Sequence, residues 1–149
     1  MSAQLAIRDA IVASLLSAPA LAGGQVLANR HRPVPADVPT QIFVYLEQSQ
    51  ATPASMHGDT RVDWQTQIRI ECLARKVTGT DADDAADALA AAVYARLMGD
   101  ANLGGLLNNP LEQTAVGWAD DEADGQLSGV QLLFTAKHRT GNNTLTHLN

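Results

Sequence analysis

Between Arg61 and Leu73 the chain alternates without a break. Val62, Trp64, Thr66, Ile68, Ile70 and Cys72 occupy every second position, separated by Asp63, Gln65, Gln67, Arg69 and Glu71. Successive strand side chains project to opposite faces, so this period puts an apolar row on one side and a charged row on the other. The segment predicts a long antiparallel strand with one face on a core and the other towards water or a partner.

The rest of the chain supplies what such a strand needs. Ser2 is placed to cap a helix over Ala3 to Ser17, whose Ile7, Ile11 and Leu15 recur at four-residue spacing. Pro19 and Gly23-Gly24 stop it, and Gln25 to Arg30 reads as a short strand. Pro33, Pro35 and Pro39 make the next connection stiff. Gln41 to Glu47 is apolar on both alternations, which predicts a strand covered on both faces. Ser49 to Thr60, with Pro53 and Gly58, reads as a mobile loop. Asp81, Asp83 and Asp84 open a second helix over Ala82 to Met98, because carboxylates suit the free amide N–H groups and positive dipole of a helix start. Its inner face is Ala86, Leu89, Val93 and Leu97. Two further strands are predicted at Leu111 to Ala119 and Leu127 to His138, joined by the acidic turn Asp120 to Gly125. The order of elements predicts an α+β fold: a largely antiparallel (mixed) sheet with two main helices packed on one face. One domain is expected over residues 1–138, with a flexible polar tail over 139–149.

Composition narrows the function. A chain of 149 residues holds one core, and that core is rich in alanine, with aromatics at only 4%. The net charge of −6 and the shortness of the basic clusters, Arg30-His31-Arg32 and Arg75-Lys76, disfavour a phosphate-backbone binder. The lone Cys72 forms no internal disulfide and lies in the apolar row, where it reads as a small buried hydrophobe. No secretory signal is expected, since Arg8 and Asp9 interrupt the first apolar stretch. No apolar run approaches the roughly 20 residues that cross a bilayer, so a soluble protein without a membrane partner is expected.

Catalytic signatures are weak. Asp120, Glu122, Asp124 and Gly125 match the first half of a calcium loop, but the position that needs a bidentate glutamate holds Gln131. A solvated hairpin turn fits better. His31, His57, His138 and His147 show no metal-ligand spacing and read as loop or surface residues. No nucleophile motif surrounds any serine or the cysteine. Neither catalysis nor a cofactor or metal is expected. Arg30 and Arg32 beside the proline-rich connection read as exposed charges, or as a guanidinium pair offered to an acidic partner. Asp81 and Asp83 cap a helix and could also meet a subunit. Arg75 and Lys76 complete the set of candidate contact residues. Trp64, on the alternating row, is a stronger core candidate than Trp118.

The chain as a whole resembles the tail terminator proteins of long-tailed phages, the lambda-type minor tail protein U family. The resemblance runs from the first helix with Leu5, Arg8, Ala10, Val12 and Leu15, through Pro39 and Phe43-Val44-Tyr45-Leu46, to Asp63-Trp64-Gln65 and Ile68-x-Ile70-Glu71. It continues in the Asp-opened helix, the leucine-rich turn at Leu103 to Leu107 and the acidic turn before the last strand. The resemblance implies a structural subunit that forms a hexameric ring, stops tail-tube polymerisation and offers a surface for head attachment. Its implied partners are further copies of itself, the tail-tube protein and a head-completion or connector protein, with DNA merely passing through the channel. Its implied place is the head-proximal end of the virion tail, assembled in the host cytoplasm. Six copies at −6 would carry a formal −36, which suits DNA sliding past. The alternatives are another head–tail joining or tail completion protein, and, from a different class, a small ligand-binding or hydrolytic α+β domain.

Overall fold

The computed structural model describes residues 1–28, 34, 35, 37–53, 61–120, 127–141 and 144–146. Among these, helix α1 (Ala3–Leu16) is followed by strands β1 (Val26–Ala28), β2 (Thr40–Pro53) and β3 (Arg61–Arg75). Helix α2 (Ala82–Met98) then precedes β4 (Glu112–Asp120) and β5 (Leu127–Gly141). The strands form one sheet in the order β1-β2-β3-β5-β4, with β1 parallel to β2 and the other pairs antiparallel. This is the mixed α+β fold that the alternation implied.

Both helices cover the same face. Ile7, Ile11 and Leu15 of α1 and Ala86, Leu89, Ala90, Val93 and Leu97 of α2 share one core with Ile42, Val44, Ile68, Ile70, Cys72, Val130, Leu132 and Phe134. Those strand residues occupy alternate positions, so the core is the apolar row of each strand set beneath a helix. Residues of the other row pack differently. Phe43 and Leu73 join Leu127 and Val34 in a small second cluster, where the proline-rich connection crosses the opposite face. The two-sided apolar character of β2 thus reflects cover by α1 on one face and by Val34 on the other.

Ser2 caps α1 as its position implied, its Oγ accepting from the Leu5 N–H at 3.3 Å. At the far end Arg96 of α2 donates to the carbonyls of Ser14 (2.9 Å), Ser17 (2.9 Å) and Pro19 (2.7 Å) and to Ser17 Oγ (2.9 Å). A helix leaves its last carbonyls without internal partners, and a guanidinium satisfies several at once. Arg96 therefore fastens the end of α1 to α2.

Three sequence readings change. β2 runs on to Pro53 instead of giving way to a loop at Ser49, while residues 54–60 lie outside the described residues. β5 continues through Arg139, Thr140 and Gly141, three residues past the expected domain limit, because it pairs with β3 as far as Arg61. His138, read as a surface histidine, is fully buried. It projects from β5 on the helix-covered side, where Thr66 of β3 meets its ring.

Candidate functional site

Two regions of the described residues carry unusual chemistry: a polar network inside one end of the sheet and an exposed edge at its side. The network extends the apolar rows of β3 and β5. Gln4 Nε2 donates to Ser49 Oγ (3.3 Å), Ser49 Oγ lies 2.7 Å from Thr66 Oγ1, and Thr66 Oγ1 lies 2.7 Å from His138 Nε2. Beside them Trp64 Nε1 donates to Thr140 Oγ1 at 2.8 Å, and that hydroxyl donates to the Gly141 carbonyl at 3.0 Å. Thr66, His138 and Thr140 are buried, and buried polar groups persist where partners are supplied. A hydroxyl on an imidazole is the first half of an activated nucleophile. Here the hydroxyl is shut away from solvent, and the chain of bonds ties α1 to three strands. The C-terminal segment reaches the same end, where the Ala3 N–H donates to the Leu145 carbonyl at 2.6 Å.

The exposed edge is β4. Its register places Trp118 opposite Val130 and Val116 opposite Leu132, on the helix-covered side of the sheet. The core formed with α2 takes in β3 and β5, and Val116 and Trp118 lie beyond it, 41% and 69% exposed. Among the described residues nothing pairs with the outer side of β4. Sheet edges are commonly protected by inward charges, lysine or proline. The charges of β4, Glu112 and Asp120, stand only at its ends, and it contains neither lysine nor proline. Beside Trp118 a groove of about 470 Å³ opens between β5 and the start of α2, walled by Asp83, Asp84, Asp87 and Ser128. Ser128 Oγ donates to the Asp83 carboxylate. The arrangement is an aromatic platform beside negative charge on an unpaired strand, which suits protein recognition by strand addition and by guanidinium or ammonium groups.

The helix-free face of the sheet is quieter. Arg69 Nε lies 2.9 Å from Glu47, its guanidinium 4.7 Å from the Tyr45 ring centre. Arg139 pairs with Asp63 at 2.7 Å, and Lys137 with Glu112 at 3.3 Å. These cross-strand pairs neutralise that face locally.

The candidate contact residues separate into three groups. Asp83 lines the groove, and Asp81 holds the N-cap position of α2 without a side-chain cap bond. Arg75 is turned to the carbonyls of Val34 (2.8 Å) and Pro35 (3.3 Å), so it secures the proline-rich connection, while Lys76 beyond it is exposed. Arg30 and Arg32 lie outside the described residues, as does the acidic turn at 121–126. Trp118 is the exposed residue beside the groove that the sequence reading did not single out. The hint was its strand, where alanine, glycine and threonine dilute the apolar row as at an edge.

No family model matches the sequence, and no curated protein matches it. Among solved structures, a chain in one described as "Virion of native gene transfer agent (GTA) particle" is similar at a TM-score of 0.58 and 20% identity. The match covers 88% of this chain and 92% of that one. The likeness is one of fold, and it spans nearly the whole of both chains. Among the described residues no helix is long and apolar enough to cross a membrane, and no group of three or more acidic, His or Cys residues is placed to hold a metal ion.

Proposed function

We propose that this protein is a structural subunit of a phage-like virion, acting through protein–protein contacts, and that it terminates the tail tube. The observation that carries the reading is the full-length fold likeness to a chain of a virion particle. The order of motifs that resembles tail terminators points the same way. The surface is consistent with it: an unprotected strand edge beside an acidic groove serves assembly better than turnover of a small molecule. In this reading copies of the chain form a ring on the last layer of tube protein, cover the sites where the next layer would add, and present a face to the head-completion protein. DNA passes through without being held. The hydroxyl–imidazole pair at Thr66 and His138 is architectural.

Electron microscopy of particles made without the protein tests this. Overlong, irregular tails are the expected result. Tails of normal length detached from heads would assign the chain to head–tail joining instead. In vitro, purified protein added to polymerising tube protein should cap filaments, and growth unaffected by it would remove the termination role.

A further inference from the structure

We propose that the outer edge of β4 takes up an extended, basic segment of another protein as an added strand, with an arginine or lysine of that segment laid over Trp118 into the acidic groove. The inference rests on the reading of this chain as an assembly subunit and names the chemistry of one partner.

The edge offers a defined length of backbone. A register shift between Gln113 and Ala115 interrupts the ladder with β5, and Thr114 Oγ1 donates to the Leu133 carbonyl there at 3.3 Å. From Ala115 to Asp120 the pairing with β5 is unbroken. In an antiparallel ladder alternate residues turn their N–H and C=O groups away from the partner strand, so every second residue of this run presents both to the open side. Among the described residues no strand takes them. Both faces of the run are clear as well. Val116 and Trp118 are exposed on the helix-covered side, and a Cβ added at Gly117 would meet nothing within 4 Å on the other.

Side chains set the character of the occupant. A strand added to β4 lies about 4.8 Å beyond it, and alternate side chains of that strand fall beside Val116 and Trp118. Trp118 forms the β4 wall of the groove, and Asp83, Asp84 and Asp87 are exposed on its α2 side. A long cationic side chain opposite Trp118 therefore crosses the indole and ends among these carboxylates, gaining a cation–π contact and ion pairs together. Opposite Val116, two residues along, an apolar side chain is the match. Length and charge both select another protein over a second copy. Among the described residues the other open edge is β1, which has 3 residues, Val26 to Ala28, none of them basic. Two β4 edges paired with each other would set two acidic walls on one face with no cation between them.

Fluorescence anisotropy on the full chain tests this, with labelled peptides of about eight residues, long enough to span the run, as probes. One alternates threonine with valine around a central arginine, a second carries glutamate in place of the arginine, and a third keeps the arginine but is N-methylated at alternate amides. The arginine peptide should bind, and the other two should bind about tenfold more weakly or worse. Trp118→Ser, Val116→Lys and the pair D83K/D84K should each weaken the arginine peptide by about tenfold, Val116→Lys because an inward lysine blocks an edge. All three change exposed side chains, so their circular dichroism at the assay temperature should match wild type. The glutamate peptide should bind D83K/D84K more tightly than wild type. Amide hydrogen exchange should slow over Ala115 to Asp120 when the arginine peptide is bound. No binding of that peptide at about 1 mM overturns the proposal. Equal binding of the glutamate peptide, unchanged affinity in Trp118→Ser, or protection confined to other strands overturns it too. If exchange over Ala115 to Asp120 slows with protein concentration alone, the edge serves a second copy and the proposal falls. Particles made without the chain report on termination separately. Overlong tails with no peptide binding sink this proposal and leave termination standing, and tails of normal length with peptide binding do the reverse.

Discussion

Cys72 lies between Ile42 and Val130 in the helix-covered row of the sheet, fully buried. Burial first, and the neighbouring Glu71 charge second, push its thiol from an ordinary 9.0 up to about 12. The thiolate is the reactive form, so the folded protein should resist thiol reagents at neutral pH and react only at its unfolding rate. The shift also sets a pH dependence. Below pH 9 the thiol is protonated in both states and contributes no penalty; above it the unfolded chain ionises while the folded chain keeps its proton, so stability falls as pH rises from about 9 towards 12. Urea unfolding at pH 7 and pH 10.5 should show this extra loss in wild type relative to Cys72→Ala, with a slope of at most about 1.4 kcal/mol per pH unit. Parallel pH profiles would show that the site is wetter than its packing. Single residues in this chain were legible where the local row decided their fate, as for Cys72, Ile68 and Ile70. Trp64 is the more buried of the two tryptophans, as its row implied, whereas the exposure of Trp118 and the burial of His138 were not legible. Trp64 and Trp118 point to the same side of the sheet, yet one meets Thr140 and the other meets solvent, and that depends on which strand lies alongside. His138 is internal because Thr66 on the neighbouring strand faces its ring.

Elements were legible where punctuation was strong. α2 begins after Asp81 and ends at Gly99, the limits that the acidic start and the glycine indicate. Strand ends were harder to read. Gln48 to Thr52 pair with Asp63 to Gln67 through backbone groups, and a polar strand extension leaves no apolar period to detect. The same is true of Arg139 to Gly141. The joint between α1 and α2 rests on a long-range bond that sequence could not show. Arg96 holds the end of α1 by four hydrogen bonds, three of them to the carbonyls of Ser14, Ser17 and Pro19. Hydrogen bonds to charged groups contribute about 1.5–3 kcal/mol, so R96A should lower the unfolding free energy by about that much. Arg96→Lys should recover part of it, because an ammonium can reach one or two of these acceptors but lacks the planar fork. Urea titration checks both. Because α1 covers β1 and β2, hydrogen exchange in R96A should speed up first along α1, ahead of the β3–β5 pair.

At the scale of the molecule, sheet order is the feature that gives the chain its surfaces. β5 has core residues on one face and Leu127 and Leu133 on the other, so it suits the interior of the sheet, and its insertion between β3 and β4 moves β4 to the edge. Had β4 paired with β3, Trp118 would lie under α2. The sequence carried this choice only faintly, in the contrast between a strand rich in Val, Leu and Phe and one rich in Ala, Gly and Thr. Charge was more legible. The net −6 implies weak attraction to DNA, and six of the ten positive charges are committed within the chain: to carboxylates at Arg8, Arg69, Lys137 and Arg139, and to backbone carbonyls at Arg75 and Arg96. Phosphate binding would have to break these pairs before gaining counterion release. The protein should therefore not retard a short DNA duplex even at about 50 mM salt, where nonspecific binders with dissociation constants of about 1–100 μM are readily seen. Gel mobility over that concentration range checks this. Retardation that vanishes in the R30E/R32E chain would instead assign a nucleic-acid contact to that basic pair.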